Sequence, residues 1–425
     1  MTSTDHDAGL DDAGLDVDAA AEPLRRALAR HLADHGLLAD SRWRRAVETV
    51  PRHRFVPGFY ASTGRRDEQG LPVWEPVTEQ IDRERWLASA YTDTTLITQF
   101  DAEEPDWDDP APRAGGGPTS SSTLPSLVLR MWLDADLEEG HKVLEIGTGT
   151  GYSTALACER LGDYGEITSI EVDDRRLHQA ANALYGIGYA VNLAVADGLY
   201  GYWPHAPYDR IVAACSLRAV PVSWLAQTRP GGKILATLSG WVYGSARVLL
   251  TTAVDGTAEG PLLPGTISFM AARAQERPAP GNPADWDALT RSAPGRPARY
   301  APGRLDEATD EAFFGRFLAQ LAAPNTQQLT SPDGDTMHLI DITTGSAATL
   351  TSGGDGYTVR QAGPLRLWDA VETAWDTWDR AGRPGPETFR MHVQPGRQSI
   401  THVGSNDLDF LLPVTEPAPT RTSYH

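Results

Sequence analysis

Val143-Leu-Glu-Ile-Gly-Thr-Gly-Thr-Gly-Tyr152 is the stretch that decides the fold of this chain. An apolar run leads directly into a glycine-rich turn, and a segment of helical character follows. Glycine adopts backbone conformations with positive φ, and its missing side chain lets a ligand approach the backbone closely. The stretch therefore predicts a strand, a ligand-binding turn and a helix, the first repeat of a parallel α/β sheet.

Short apolar runs and helix-like segments alternate around and beyond this turn, as a parallel sheet with crossover helices requires. The predicted strands are Lys142–Ile146, Glu166–Val172, Val191–Val195, Asp209–Ala213, Lys233–Leu238 and Arg247–Ala253. The predicted helices are Tyr152–Leu161, Asp173–Gly186 and Pro221–Arg229. The fold class is therefore predicted to be α/β, with helices on both faces of a mostly parallel sheet.

The spacing of the glycines and one acidic residue indicate which ligand the turn binds. Dinucleotide-binding proteins carry GxGxxG at this place, whereas Gly147, Gly149 and Gly151 follow a GxGxG spacing. Glu145 lies two residues before the first of them. Its carboxylate would repel a pyrophosphate but attract the cationic methionyl group of S-adenosylmethionine. The motif thus predicts a site for this methyl donor, with S-adenosylhomocysteine as the product.

Two further carboxylates lie where the next predicted strands end. Glu171 can accept hydrogen bonds from ribose hydroxyls, although an NAD site would carry an acid there too. Asp197 can accept from the amino group of adenine. All three carboxylates are expected to face the crevice at the carboxyl ends of the strands. The predicted donor site comprises Glu145, Gly147, Thr148, Gly149, Gly151, Tyr152, Glu171, Asp197 and Gly198.

Composition excludes several classes of protein. A net charge of −20 and a pI near 4.9 argue against binding to nucleic acid or to an anionic membrane surface. Cys158 and Cys215 are the two cysteines, and neither lies in a metal-binding or redox motif. The sequence contains no apolar run of about 20 residues and no secretory signal, so a cytoplasmic protein is expected.

The chain is long enough for more than one domain. We predict a disordered acidic leader over residues 1–20, a catalytic domain over 21–276 that opens with a helical segment, a Pro/Ala/Gly-rich linker over 277–303, and a C-terminal α+β domain over 304–425. Trp368, Trp375 and Trp378 in that last domain are predicted to be core or interface residues rather than a cofactor-binding cage.

Motifs spread over about half of the chain resemble those of protein-L-isoaspartate O-methyltransferases. They are Arg54-Phe-Val-Pro57, Ala90-Tyr-Thr-Asp93, Thr123-Leu-Pro-Ser126, Val143–Tyr152, Glu171, Ala196-Asp-Gly198, Ala206-Pro-Tyr-Asp209 and Arg229-Pro-Gly-Gly-Lys233. The resemblance implies a class I S-adenosylmethionine-dependent fold and esterification of a carboxylate in a peptide.

The chain departs from that family in three places. Thr123 stands where the family has a serine, Gln99–Ser122 contains an insertion, and the sequence after Glu276 is expected to have no counterpart in the ordinary repair enzyme. These departures resemble variants from lanthipeptide and graspetide biosynthesis. They imply methylation of an ordinary aspartate in a modified precursor peptide, leading to aspartimide and then isoaspartate. The alternative is a general isoaspartyl repair enzyme.

Methyl transfer to a carboxylate needs positioning rather than a strong base, because the acceptor is already ionised at pH 7. Thr123 is the predicted hydroxyl that orients the acceptor, with Ser126 and Ser122 as further candidates. Thr123 or a neighbour could instead cap the helix predicted to begin at Pro125. An NAD-dependent oxidoreductase and a non-catalytic peptide-binding protein are the other classes of function considered.

Overall fold

The computed structural model of the protein describes residues 8–331, 334–354 and 356–413, and the chain divides into two compact units, residues 1–212 and 213–425. The helices are α1 Ala8–Asp34, α2 Ser41–Thr49, α3 Glu79–Ala90, α4 Pro125–Asp134, α5 Tyr152–Leu161, α6 Asp174–Gly186, α7 Val222–Gln227, α8 Pro283–Arg291, α9 Asp310–Ala322 and α10 Leu367–Arg380. The first ten strands are β1 Gly58–Arg66, β2 Pro72–Thr78, β3 Leu96–Phe100, β4 Arg113–Ala114, β5 Pro118–Ser122, β6 Lys142–Ile146, β7 Glu166–Glu171, β8 Asn192–Val195, β9 Tyr208–Leu217 and β10 Thr228–Ser239. The remaining strands are β11 Ser245–Thr252, β12 Ala258–Leu263, β13 Arg296–Pro297, β14 Gln327–Thr330, β15 Thr336–Asp341, β16 Ser346–Gly353, β17 Gly356–Ala362, β18 Phe389–Gln394, β19 Arg397–His402 and β20 Ser405–Leu411.

The glycine-rich turn lies at one end of a parallel sheet in the first unit. Strand β7 lies between β6 and β8 and runs parallel to both. The helices α5 and α6 follow β6 and β7 along the chain, and the apolar residues of β6 are buried. The α/β fold class is thus confirmed, and the predicted bounds of β6 and α5 agree with the structure residue for residue.

A second sheet of the first unit was not predicted from the sequence. It is antiparallel, with the strand order β4-β2-β1-β3-β5. The insertion in Gln99–Ser122 contributes β4, β5 and Trp107, whose ring covers the backbone of Gly58. A Cβ added to Gly58 would lie 2.2 Å from that ring, so the insertion packs closely only because residue 58 is glycine.

Strands of the second unit are antiparallel where a parallel arrangement was predicted. β10 and β11 pair antiparallel through Lys233↔Thr251 to Ser239↔Ser245. Only five residues join the two strands, and a parallel pair needs a crossover of a dozen or more. The predicted C-terminal core is confirmed, because Trp368, Trp375 and Trp378 on α10 are fully buried.

The predicted acidic leader is helical wherever the structure describes it. Residues 1–7 lie outside the described residues, but α1 begins at Ala8, so disorder is the wrong prediction for residues 8–20. Alanine is the strongest helix former, and residues 19–21 are all alanine. The helix is also held by tertiary contacts, since Asp18 pairs with His53 and Arg54.

The predicted linker and domain boundary also need correction. Residues 277–303 contain α8, which begins with Asn282 as its N-cap, and the short strand β13. β12, predicted to belong to the catalytic domain, pairs with β18 through Ala258↔Val393. A Pro-rich composition disfavours helix interiors but suits a helix start, and Pro283 occupies that position.

Candidate active site

The glycine-rich turn has the backbone geometry that the sequence predicted. Gly147, Gly149 and Gly151 have φ values of 93°, 54° and 89°, a region that residues with side chains rarely adopt. A Cβ on Gly151 would press against Ala180 at 3.2 Å. A Cβ on Gly149 would meet only the Ser121 carbonyl, at 3.6 Å, so the turn is open above Gly149 and lies beside the end of β5.

Glu145 is buried in a cage of hydroxyl groups at the end of β6. Its Oε2 accepts hydrogen bonds from Thr154 Oγ1 at 2.5 Å and from Ser169 Oγ at 2.8 Å. Burial raises the pKa of this carboxyl, although the hydroxyl groups oppose the shift. Its Oε1 is buried and has no hydrogen-bond partner. A buried carboxylate oxygen without a partner is costly, so this atom is suited to a cationic or N–H group of a bound ligand.

Glu171 and Asp197 contact the turns beside them. Glu171 Oε2 accepts from the Gly149 amide at 3.0 Å, and its Oε1 accepts from the Val172 amide at 2.9 Å. Asp197 Oδ1 accepts from the Leu199 amide at 2.9 Å. The carboxylates thus hold the turns in place while retaining lone pairs for hydroxyl or amino donors.

The other predicted donor-site residues have different surroundings. Thr148 Oγ1 lies 2.8 Å from Ser169 Oγ, inside the protein. Tyr152 is buried under the Arg52 guanidinium, and burial raises its pKa to about 12. A Cβ on Gly198 would lie 2.3 Å from Ile146, so this glycine allows close packing of the loop after β8. The side chains of Thr148 and Tyr152 are therefore engaged inside the protein.

These residues fit S-adenosylmethionine in two ways. The turn is open above Gly149, which is the space a ligand needs to approach the backbone. Glu145 Oε1 offers a buried acceptor with no protein partner. Acidic groups at the carboxyl ends of β6, β7 and β8 would then hold the methionyl, ribose and adenine parts. The described residues contain no cluster of three His, Cys, Asp or Glu that could bind a metal ion.

The predicted acceptor residue Thr123 does not cap the helix that follows it. Helix α4 has Leu124 at its N-cap position and no hydrogen bond from that side chain. Side chains of the preceding loop accept from the first amides of this segment instead. Thr95 Oγ1 accepts from the Leu124 amide, and Asp93 Oδ1 accepts from the Ser126 amide at 2.8 Å. The half-buried Thr123 hydroxyl accepts no hydrogen bond from the first amides of α4. The alternative prediction, that Thr123 caps this helix, is therefore wrong.

Arg52 is the main residue that the sequence did not reveal. It is completely buried, and its guanidinium donates to the carbonyl oxygens of Ala90, Thr92, Thr94, Ser122 and Thr123 at 2.9–3.1 Å. It also donates to Ser122 Oγ at 3.3 Å, so the hydroxyl of this predicted candidate is engaged with Arg52. Burial lowers the pKa of Arg52 to about 10. The arginine binds the 90–94 loop to residues 122–123.

His53 connects the same loop to helix α1. Its Nδ1 lies 2.7 Å from the Tyr91 hydroxyl and its Nε2 lies 2.9 Å from Asp18 Oδ1. Burial lowers the pKa of His53 to about 4, although the nearby Asp18 carboxylate opposes that shift. The imidazole is therefore neutral at pH 7, where it joins Tyr91 to α1.

Stability is expected to decrease as the pH falls from 6.5 towards 4. The folded-state pKa of His53 lies below its ordinary value of 6.5, so in this range the unfolded chain takes up a proton that the folded chain does not. The loss amounts to about 3 kcal/mol by pH 4 and is absent above pH 6.5. Urea denaturation at several pH values measures it. His53→Gln should reduce this slope, and an unchanged slope in the variant would contradict the assignment.

Comparisons with known proteins identify the family. The sequence profile described as protein-L-isoaspartate(D-aspartate) O-methyltransferase matches residues 72–242. The chain is 30% identical to the protein-L-isoaspartate O-methyltransferase of Methanosarcina mazei over 246 residues, covering 58% of this chain and 82% of the relative. It is 34% identical to protein-L-isoaspartate O-methyltransferase 1 of Archaeoglobus fulgidus over 212 residues, covering 50% of this chain and 77% of the relative.

A solved protein-L-isoaspartate O-methyltransferase structure shares the fold, with a TM-score of 0.51 and 19% identity, over 89% of this chain and 99% of its own. Residues 1–276 make up only about two thirds of the chain, so the shared fold extends beyond them. This corrects the expectation that everything after Glu276 lacks a counterpart. The chain belongs to the protein-L-isoaspartate O-methyltransferase family of S-adenosylmethionine-dependent enzymes.

Proposed function

We propose that this protein transfers a methyl group from S-adenosylmethionine to the free α-carboxylate of an isoaspartyl residue in a protein or peptide, the carboxylate that is left when the main chain runs through the side-chain carboxyl. The relatives named above carry this activity in their names. The observation that carries the proposal is the position of residues 118–123, which we name the acceptor segment. The Ser121 carbonyl oxygen would lie 3.6 Å from a Cβ added to Gly149 in the donor turn, and Thr123 comes two residues after Ser121.

The chain's own residues have to position the reactants rather than move a proton. The bound donor supplies an electrophilic methyl group. An acceptor carboxylate oxygen forms the new C–O bond while the S–C bond breaks, and the acceptor is already ionised at pH 7. Thr123 Oγ1 would donate a hydrogen bond to the other carboxylate oxygen, and Arg52 would keep the Thr123 backbone in place. Alignment of this kind can contribute roughly 7–11 kcal/mol.

The product ester can react further without help from the protein. The backbone nitrogen of the following residue attacks the ester carbonyl, loses its proton and expels methanol, which closes a five-membered imide. Methoxide is a far better leaving group than the oxide of a carboxylate, and for this reason methylation precedes ring closure. Hydrolysis of the imide then yields aspartyl or isoaspartyl products.

A second candidate acceptor is an ordinary aspartate in a ribosomally made peptide that other enzymes have already modified. Thr123 favours this candidate, because its extra methyl group restricts the rotamer and narrows the pocket compared with serine. The C-terminal region no longer favours it, since a solved member of the family shares the fold over most of the chain.

Tandem mass spectrometry distinguishes the two acceptors. An isoaspartyl peptide and a cyclised precursor peptide with ordinary aspartate are each incubated with the full chain and S-adenosylmethionine. Methylation of the isoaspartyl peptide alone supports the repair reaction. Methylation of the precursor at aspartate, followed by loss of methanol, supports the biosynthetic reaction. If neither peptide gains a methyl group, the proposed function is wrong.

Thr123→Val is expected to lower kcat/KM for the acceptor about 10- to 100-fold, because a hydrogen bond to a charged group is worth about 1.5–3 kcal/mol. Thr123→Ser should retain most of the activity. S-adenosylhomocysteine affinity should remain that of the wild type in both variants. The matched control is Thr63→Val, which removes a hydroxyl bonded to the Val73 carbonyl on the same sheet. Equal losses in Thr123→Val and this control would show that Thr123 has no role at the acceptor.

We further propose that the protein acts in the cytoplasm. No described helix combines the length and apolarity needed to cross a membrane.

We also propose that residues 304–413 recognise the peptide. Truncation at Arg277 is unsuited as a test, because it removes β18, the partner of β12. A suitable test is hydrogen exchange of the full chain bound to S-adenosylhomocysteine, compared with and without the peptide that mass spectrometry identifies as the methyl acceptor. The peptide should slow exchange within 304–413, and no change there would refute recognition by this region.

A further inference from the structure

Gln99 is a completely buried amide at the end of β3, and both ends of its side chain are bound. Its Nε2 donates to Asp173 Oδ2 at 3.0 Å and to Glu104 Oε2 at 3.3 Å, while its Oε1 accepts from Thr119 Oγ1 at 2.9 Å. Carboxylates only accept hydrogen bonds, so the orientation of the amide group is unambiguous. The donor-turn and acceptor roles described above do not use this residue.

One side of Gln99 leads to the methyl-donor turn. Asp173 caps α6 by accepting from the amides of Arg175 and Arg176. The Asp173 amide donates to Glu171 Oε1 at 3.2 Å, and Glu171 Oε2 accepts from the Gly149 amide at 3.0 Å. Three consecutive hydrogen bonds therefore connect Gln99 to the turn that approaches the donor.

The other side of Gln99 leads to the acceptor segment. Thr119 lies on β5, and its Oγ1 also accepts from the Ala102 amide at 2.9 Å. Strand β5 pairs with β3 through Gln99↔Ser120 and Leu96↔Ser122 and then continues into Thr123. A displacement of the Gln99 side chain would thus act on the strand that carries the predicted acceptor hydroxyl.

The insertion holds this connection in place. Glu104 accepts from Arg176 Nε at 2.8 Å and from Gln179 Nε2 at 2.6 Å, and Arg176 is almost completely buried. Arg176 Nη2 also donates to the Thr98 carbonyl at 3.3 Å, next to Gln99. Buried ion pairs with further hydrogen bonds have one well-defined geometry, so the insertion keeps Gln99 in contact with both sides.

We propose that Gln99 is a positioning residue that couples the methyl-donor turn to the acceptor segment 118–123, so that binding of the donor orders the acceptor strand. A neutral amide is the group that can do this, because it donates to the carboxylates of Asp173 and Glu104 while accepting from Thr119. A glutamate would place a third carboxylate there. The inference uses the donor site of the family and the proposed role of Thr123, but it does not depend on which peptide is methylated.

Hydrogen exchange of the full chain, with and without saturating S-adenosylhomocysteine, tests the coupling without measuring activity. In the wild type the ligand should slow amide exchange within residues 118–123 about fivefold or more, the lower range of measured couplings between sites. In Gln99→Met, which keeps a side chain of similar length, the ligand should still bind but this slowing should be lost. Unchanged exchange in the wild type, or full slowing in the variant, would overturn the proposal.

Thr119→Val keeps the test decisive if Gln99→Met does not fold or does not bind S-adenosylhomocysteine. It removes the hydrogen bond on the β5 side and leaves the contacts of Asp173 intact, so the ligand should bind but fail to slow exchange in 118–123. Thr63→Val, on the same sheet but outside the connection, should behave as the wild type. Full slowing in Thr119→Val would refute the coupling even if the mass-spectrometric result supports the proposed function.

Discussion

Arg52→Ala is expected to lower the free energy of unfolding by about 3–5 kcal/mol and to abolish measurable methyl transfer. The arginine is completely buried and donates to five backbone carbonyls. An unpaired buried carbonyl costs about 1–3 kcal/mol, and water entering the new cavity recovers part of the total. Urea denaturation followed by tryptophan fluorescence measures the loss, and methyl transfer to the isoaspartyl peptide measures the activity.

Two further variants separate the hydrogen bonds of Arg52 from its charge. Arg52→Lys retains the charge but offers three donors in place of five, so its loss of stability should be intermediate. Arg45→Ala removes an exposed arginine of α2 and should change the unfolding free energy by no more than about 0.5 kcal/mol. If Arg52→Ala were as stable as this control, the 90–94 loop would not depend on Arg52.

Gly149→Val is expected to weaken binding of S-adenosylhomocysteine about 100-fold, equivalent to about 2.8 kcal/mol. Gly149 has a φ of 54°, and only the Ser121 carbonyl lies within 4 Å of a Cβ added there. A valine at this position strains the backbone and fills the space through which the donor approaches the turn. Isothermal titration calorimetry with S-adenosylhomocysteine measures the affinity directly.

Gly140→Val is the matched control for this substitution. Gly140 has a φ of 78°, and an added Cβ would meet nothing within 4 Å. Both variants carry the backbone strain of a β-branched residue at positive φ, but only Gly149 lies in the donor turn. The two proteins should lose stability to a similar extent, whereas ligand affinity should fall in Gly149→Val alone. Equal affinities would mean that the donor does not approach Gly149.

Local sequence patterns predicted much of the first unit. The apolar run before Gly147 and the helical pattern after Gly151 gave the bounds of β6 and α5 because both features repeat within a few residues. Positive φ at the three glycines of the turn was likewise predictable, since glycine adopts it without steric cost. The antiparallel sheet around β1 was missed. Residues 67–71 join β1 and β2 as a local hairpin, but β3 meets β1 through Tyr60↔Ile97 and β4 meets β2 through Trp74↔Arg113, pairings between distant segments that no local pattern indicates.

The site residues divide in the same way. Thr123 and the donor-turn glycines could be named from motifs, whereas Arg52 and Gln99 could not. Arg52 bonds to residues up to 71 positions away and Gln99 to one 74 positions away. No periodicity in the sequence reports which distant segments meet. The sequence allowed Thr123 or a neighbour to cap α4 as an alternative to the acceptor role, whereas in the structure Thr95 and Asp93 accept from the first amides.

The sequence by itself determined the parallel strands, the glycine turn, the methyl donor and the family, because each follows from short motifs whose residues lie next to one another in the chain. Only the tertiary structure decided that Glu145 is buried with one unpaired oxygen, that Arg52 and Gln99 bind residues 119–123, and that Asp18 joins α1 to His53. The physical reason is that burial and hydrogen bonding between distant segments follow from packing of the whole unit, whereas backbone preferences act over a few residues.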